Sequence, residues 1–195
     1  MRIVLTEADN VRIKFEAACF RIGEGSARQA FSLALNKEGR KAYTAHRRAL
    51  AKQSSIPRDS VTAAMKFKGS TRATLETRII GTGRHLPLSV FGAKQFSYGV
   101  RAKVWGRSQT YHSAFVVGRF DGNVFKRTGK ARFPIEQLWG PAVPVEMLRD
   151  EALAAWEAQH GAVLGEAERL IGVMLSGAKI GVGGAGLGAP FRTPG

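Results

Sequence analysis

A chain of 195 residues is long enough to bury a sizeable core, and 44% hydrophobic with 23% charged residues is the composition of a globular protein, not a disordered one. Thirty basic residues against fifteen acidic ones leave a formal charge of +15, which favours polyanions or acidic protein surfaces as partners. The single cysteine, Cys19, excludes an internal disulfide and a thiolate metal cluster, and no apolar run approaches the ~18 residues of a membrane span. The opening MRIVLTEADN lacks the apolar stretch of a secretory signal, so a reducing, cytoplasm-like compartment is expected.

In chain order, VRIKFE (Val11–Glu16) alternates apolar and charged residues and predicts a short strand within an N-terminal arm, 1–25. GEGS breaks the chain, with Ser26 placed to cap a helix from Ala27 to about Gln53. Phe31, Ala34, Leu35, Ala42, Ala45 and Ala49 share one face of that helix, and Lys37, Lys41, Arg48 and Lys52 form a basic stripe beside it. Pro57 predicts a second short helix over RDSVTAAMKF.

Two strands are expected next. TRATLETRII sets Ala73, Leu75, Thr77 and Ile79 against Arg72, Glu76 and Arg78. FSYGVRAKVW sets Phe96, Tyr98, Val100, Ala102 and Val104 on a core face against Arg101 and Lys103 on a wet one. Asp121-Gly122-Asn123 predicts the turn of a hairpin. A last helix is expected over roughly Val145–Leu175, with Gly161, Gly165 and Gly172 marking breaks or close helix contacts. The glycine-rich remainder, 177–195, reads as a flexible tail. The expected fold class is α+β, with residues 26–176 as its domain.

Catalytic signatures fail on inspection. A phosphate-binding loop ending in Gly129-Lys130 needs a glycine where Val124 stands and a hydroxyl where Ala131 stands. The G-x-G-x-x-G at Gly181, Gly183 and Gly186 lacks a following helix and strand. The four histidines are scattered without metal-ligand spacing, and the basic middle offers no acid/base pair, so no catalytic residue, metal or cofactor is expected. Charge is concentrated instead. Residues 54–132 hold fifteen basic and three acidic groups, whereas 133–195 hold four and seven, an asymmetry suited to stacking against copies or partners.

Candidates for contact with DNA or an acidic partner are therefore Lys37, Lys41, Arg48, Lys52, Arg72, Arg78, Arg101, Lys103, Lys126, Arg127, Lys130 and Arg132. A solvated helix face accounts for the first four equally well, and the face bearing Arg72, Arg78, Arg101 and Lys103 has the same ambiguity. No aromatic ladder is read among these charges, so any nucleic-acid contact is expected to be to phosphates alone. Phe133, Pro134, Ile135, Leu138, Trp139, Pro141 and Pro144 form a proline-stiffened arm, suited either to docking a protein or to covering the chain's own core.

Two segments carry a family resemblance. AFSLALNKEGRKAYTAHRRALAKQ followed by IPRDSVTAAMKF, and FKRTGKARFPIEQLWGPAVPVEM, resemble the phage minor tail protein Z family over roughly residues 26–175. The resemblance implies a non-enzymatic virion protein, assembled in the host cytoplasm and added at the head-proximal end of a phage tail to complete it for head–tail joining. It further implies a homo-oligomeric ring, commonly a hexamer, around the DNA channel, beside the tail terminator, tail tube and head connector. The alternative from the residues is a free, nonspecific nucleic-acid-binding protein of a mobile element.

Overall fold

The computed structural model describes residues 3–177, with side chains from Val11 onward except that of His160. It begins with two helices, α1 (Ile3–Ile22) and α2 (Glu24–Ser54), joined at Gly23, whose φ of 78° lets the chain turn between them. The expected strand at Val11–Glu16 is thus helical. Six alternating residues fit either period, and the longer recurrence of Phe15, Ala18, Cys19 and Ile22 at three- and four-residue steps decides for helix; all four pack on α2 and α6. Ser26 lies inside the first turn of α2, so it is not the cap.

Helix α2 spans about 46 Å at ~1.5 Å per residue and organises the rest. Its first half packs with α1 and the last helix around Ala27, Ala30, Phe31 and Ala34. Its second half supplies Leu50, fully buried, to a second core shared with the strands. After Pro57 comes α3 (Arg58–Ala64), shorter than expected because MKFK leaves the helix as β1 (Met65–Lys68). β1 pairs antiparallel with β2 (Arg78–Gly81), the only strand formed by the TRATLETRII segment. Arg72 to Thr74 are a turn, closed by Thr71 and Thr74 bonding each other's backbone N–H, and Asn36 clamps Ser70 beside it through both its N–H and its carbonyl, at 2.8 Å each.

Two three-stranded antiparallel sheets follow. The first orders β3 (Lys94–Phe96), β4 (Gly99–Val104) and β5 (Arg107–His112); the second orders β6 (Ala114–Val117), β7 (Asn123–Arg127) and β8 (Ile135–Gln137). β4 buries Val100, Ala102 and Val104 and exposes Arg101 and Lys103, as its alternation predicts. The β6–β7 hairpin forms at the expected turn, where Asp121 and Gly122 take φ of 51° and 70°. Gln95 joins the sheets, accepting from the Val116 N–H at 2.7 Å.

The expected final helix is three pieces: α4 (Val143–Glu146), α5 (Asp150–Glu157) and α6 (His160–Leu175). The breaks fall before the glycines, and Gly161, Gly165 and Gly172 face open space, so none marks a close helix contact. α5 and α6 run back along α2: Glu151 meets Lys52, Trp156 meets His46, and Glu166 meets Lys37. The arrangement is α+β, with helices at both ends of the described residues and antiparallel sheets between. The tail beyond residue 177 lies outside the described residues.

Candidate nucleic-acid interface

The twelve basic candidates separate by their partners. On α2, Lys37 pairs with Glu166 at 2.9 Å, Lys41 with Glu38 at 2.7 Å and Lys52 with Glu151 at 3.6 Å; Arg48 is exposed. Two of the four, Lys37 and Lys52, thus face the acidic α5–α6 segment, and Lys41 is met within α2. Glu166 is nearly buried between Arg169 and Lys37, whose hydrogen bonds hold its carboxyl down to about 2. The acids of α5 and α6 are thus met in part by α1 and α2, and among the described residues no ion pair joins them to the basic middle, 54–132. Arg78 is likewise engaged, forking onto the Glu76 carboxylate, with Nη2 to Oε2 at 2.8 Å. Arg72 sits in the turn, not on a strand face, and its carbonyl accepts from Arg28 at 3.4 Å.

The sheet cations differ. Among the described residues no carboxylate pairs with Lys94, Arg101, Lys103, Lys126, Arg127, Lys130 or Arg132, and no acidic residue occurs between Glu76 and Asp121. Their arginines rest on aromatic rings instead. Arg101 lies 5.3 Å from the Phe96 centroid and 5.9 Å from that of Tyr98, Arg127 lies 5.6 Å from Phe115, and Arg132 lies 5.8 Å from Phe133.

The cluster around Arg101 arises from local backbone. Phe96 pairs with Gly99, so Ser97-Tyr98 form a two-residue turn, and Gly99 takes φ 142° with the Tyr111 carbonyl where a Cβ would stand. That turn breaks the alternation running from Phe96 to Val104. Phe96 and Tyr98 therefore do not join Val100 and Ala102 in the core, as expected from the sequence, but lie exposed on the wet side. Their rings are parallel, 5° apart in plane and 5.4 Å between centroids, and Arg101 donates to the Tyr98 hydroxyl at 2.9 Å. His112, paired across from Gly99 on β5, adds a third ring 6.4 Å from Tyr98. An aromatic set does interleave with the charges, contrary to the reading from sequence.

The proline arm is mostly part of the fold. Ile135 belongs to β8, Leu138 packs on the core and donates its N–H to the Val124 carbonyl at 2.8 Å, Pro141 is fully buried and Pro144 is half-buried at the start of α4. Phe133 and Pro134 are exposed at the β7–β8 loop, and Trp139 is exposed beside Trp105 in a groove also lined by His85 and Val145. Trp105 anchors this region from below by donating its indole N–H to the buried Glu146 carboxylate at 3.0 Å.

Glu38, Glu146 and Glu166, the least exposed carboxylates among those in ion pairs, meet Lys41, Arg149, and Arg169 with Lys37, respectively. Among the described residues no group of three or more His, Cys, Asp or Glu is placed to hold a metal, and no helix is long and apolar enough to cross a membrane. Comparison with protein-family models, curated proteins and solved structures finds no match in any of the three.

Proposed function

We propose that this chain is a non-enzymatic structural component of a phage tail or neck, related to the minor tail protein Z family, that oligomerises as a ring at the head-proximal end of the tail and lines the passage for DNA. The observation that carries the reading is the wet face of β3–β4–β5, where Lys94, Arg101 and Lys103 have no carboxylate partner among the described residues, in a chain of formal charge +15. Such a surface repels its own copies unless a polyanion or an acidic neighbour lies against it. Exposed apolar side chains at separate places, Phe20 on α1 and Trp139 and Leu148 near α4, supply material for contacts between subunits and with neighbouring tail and connector proteins.

Cryo-electron microscopy of purified tails and whole particles from a phage carrying this chain tests the reading. A closed ring at the neck with β4 turned to the channel is the expected result. A neck lacking the chain sinks the proposal. In that case the free nucleic-acid binder takes its place, a reading that the cation–aromatic cluster favours independently.

A further inference from the structure

We infer that the outward face of β3–β4–β5 is a binding platform for unpaired nucleotides, on which a base of single-stranded nucleic acid stacks against the Phe96–Tyr98 rings while neighbouring phosphates meet Lys94 and Lys103. The inference deepens the proposed DNA contact and rests on that face meeting nucleic acid, but not on the chain residing in a ring.

Two observations join to carry it. The first is charge. The face is cationic, its lysines and Arg101 have no carboxylate partner among the described residues, and no acid occurs in the sequence between Glu76 and Asp121; at one end Lys103 borders a groove that Asp150 and Glu151 also line. Its complement is a polyanion. The second is the ring set. Phe96 and Tyr98 are left 37% and 42% exposed, in parallel planes, and held there by Arg101 through its guanidinium contact and its bond to the tyrosine hydroxyl. The backbone is specialised to put them there, since Gly99 admits no side chain against the Tyr111 carbonyl.

Duplex DNA offers this face only phosphates, because its bases are stacked on one another and presented edge-on. A lysine patch would suffice for that, and the exposed rings would add nothing. A single strand offers π-faces and phosphates together, the combination that aromatic and cationic side chains on a sheet recognise without reading sequence. An acidic protein would satisfy the charge but leave the ring planes unused. The combined chemistry therefore selects the single strand.

The test is fluorescence anisotropy of the full chain with labelled oligothymidylate and with a duplex of equal phosphate number, at matched salt. The expected result is tighter binding of the single strand, weakened on the order of tenfold by Phe96→Leu and by Tyr98→Ala, with duplex binding changed less than about twofold. Tyr98→Phe, which keeps the ring, should retain most of the affinity. Lys103→Ala should weaken both ligands alike and flatten the salt dependence. Circular dichroism melting confirms that each variant is folded, and the exposed position of both rings makes Phe96→Leu the safest of them. Equal affinity for the two ligands, or single-strand binding indifferent to Phe96→Leu, overturns the platform. So does competition by polyglutamate as effective as that by oligothymidylate, which would mean charge alone. None of these outcomes bears on whether the chain sits at a phage neck, and its absence from the neck would leave them unchanged.

Discussion

His46 provides the sharpest test of the helical packing. It sits on α2 at 3% exposure, edge-on to Trp156 at 6.5 Å, and neither ring nitrogen has a hydrogen-bond partner. Burial disfavours the imidazolium, so its pKa lies below the ordinary 6.5. The sign follows directly. Below 6.5 the unfolded chain takes up a proton that the folded chain refuses, so stability is complete above that pH and falls as the pH drops through the lowered folded value. Wild type therefore loses stability as the pH falls below 6.5, by no more than ~1.36 kcal/mol for each pH unit until the ring itself takes up the proton. His46→Leu removes the titration together with two unmet polar atoms. The latter gain, at about 1–3 kcal/mol for an unmet buried group, is offset in part by loss of the ring contact, at ~0.5–1.5 kcal/mol. The variant should therefore match or exceed wild type at pH 7 by about 1 kcal/mol and show a flatter pH dependence. Urea denaturation followed by tryptophan fluorescence at several pH values reads both quantities, since Trp156 lies against the site. Parallel pH profiles for the two proteins would refute the reasoning, because charges elsewhere cancel in the difference.

Other expectations follow from single contacts. Gly99→Ala places a methyl against the Tyr111 carbonyl at a φ of 142° and should cost on the order of 2–4 kcal/mol by thermal melting, whereas Gly118→Ala, facing open space, should stay within ~0.5 kcal/mol. Asn36→Ala strips both bonds from the Ser70 backbone and should destabilise by about 2 kcal/mol in chemical denaturation. Glu166, depressed to about 2 by Arg169 and Lys37, contributes stability that is present above its ordinary 4.5 and is lost as the pH falls toward 2. Glu166→Gln should cost about 1 kcal/mol near neutrality, solvent screening included, and remove part of the acid limb of the stability profile measured by acid titration.

The fold was legible where one period ran long enough to be unambiguous. The α2 helix, the Val100–Val104 alternation and the hairpin at Asp121-Gly122 all appear as read, because each is fixed by local backbone and side-chain direction. Errors came where a short pattern fitted two periods. VRIKFE alternates, yet its neighbours make it one flank of a twenty-residue helix. MKFK continues an alanine-rich helical run, yet leaves it to pair with Arg78–Gly81, a partner ten residues further on that no local signal announces. The break between α5 and α6 comes at Ala158 and Gln159, residues with no intrinsic objection to a helix, as the two pieces pack along different halves of α2.

The candidate site was half visible for a different reason. Its charges can be counted in the sequence, but whether a lysine is free depends on which acid the fold brings to it. Lys37 and Lys103 look alike in the chain; one meets Glu166 from a helix well over a hundred residues away, and the other is exposed with no ion pair among the described residues. The aromatic half was hidden by a single residue. Read as continuous strand, FSYGVRAKVW assigns Phe96 and Tyr98 to the core, and a basic face without rings can only hold phosphates. Gly99 supplied the available signal: a glycine inside an apparent strand marks a bulge or turn, and two residues before it are then enough for a hairpin loop. Placing the turn there moves both rings to the side of Arg101, and the same ten residues change from a half-buried strand into a surface suited to bases as well as phosphates.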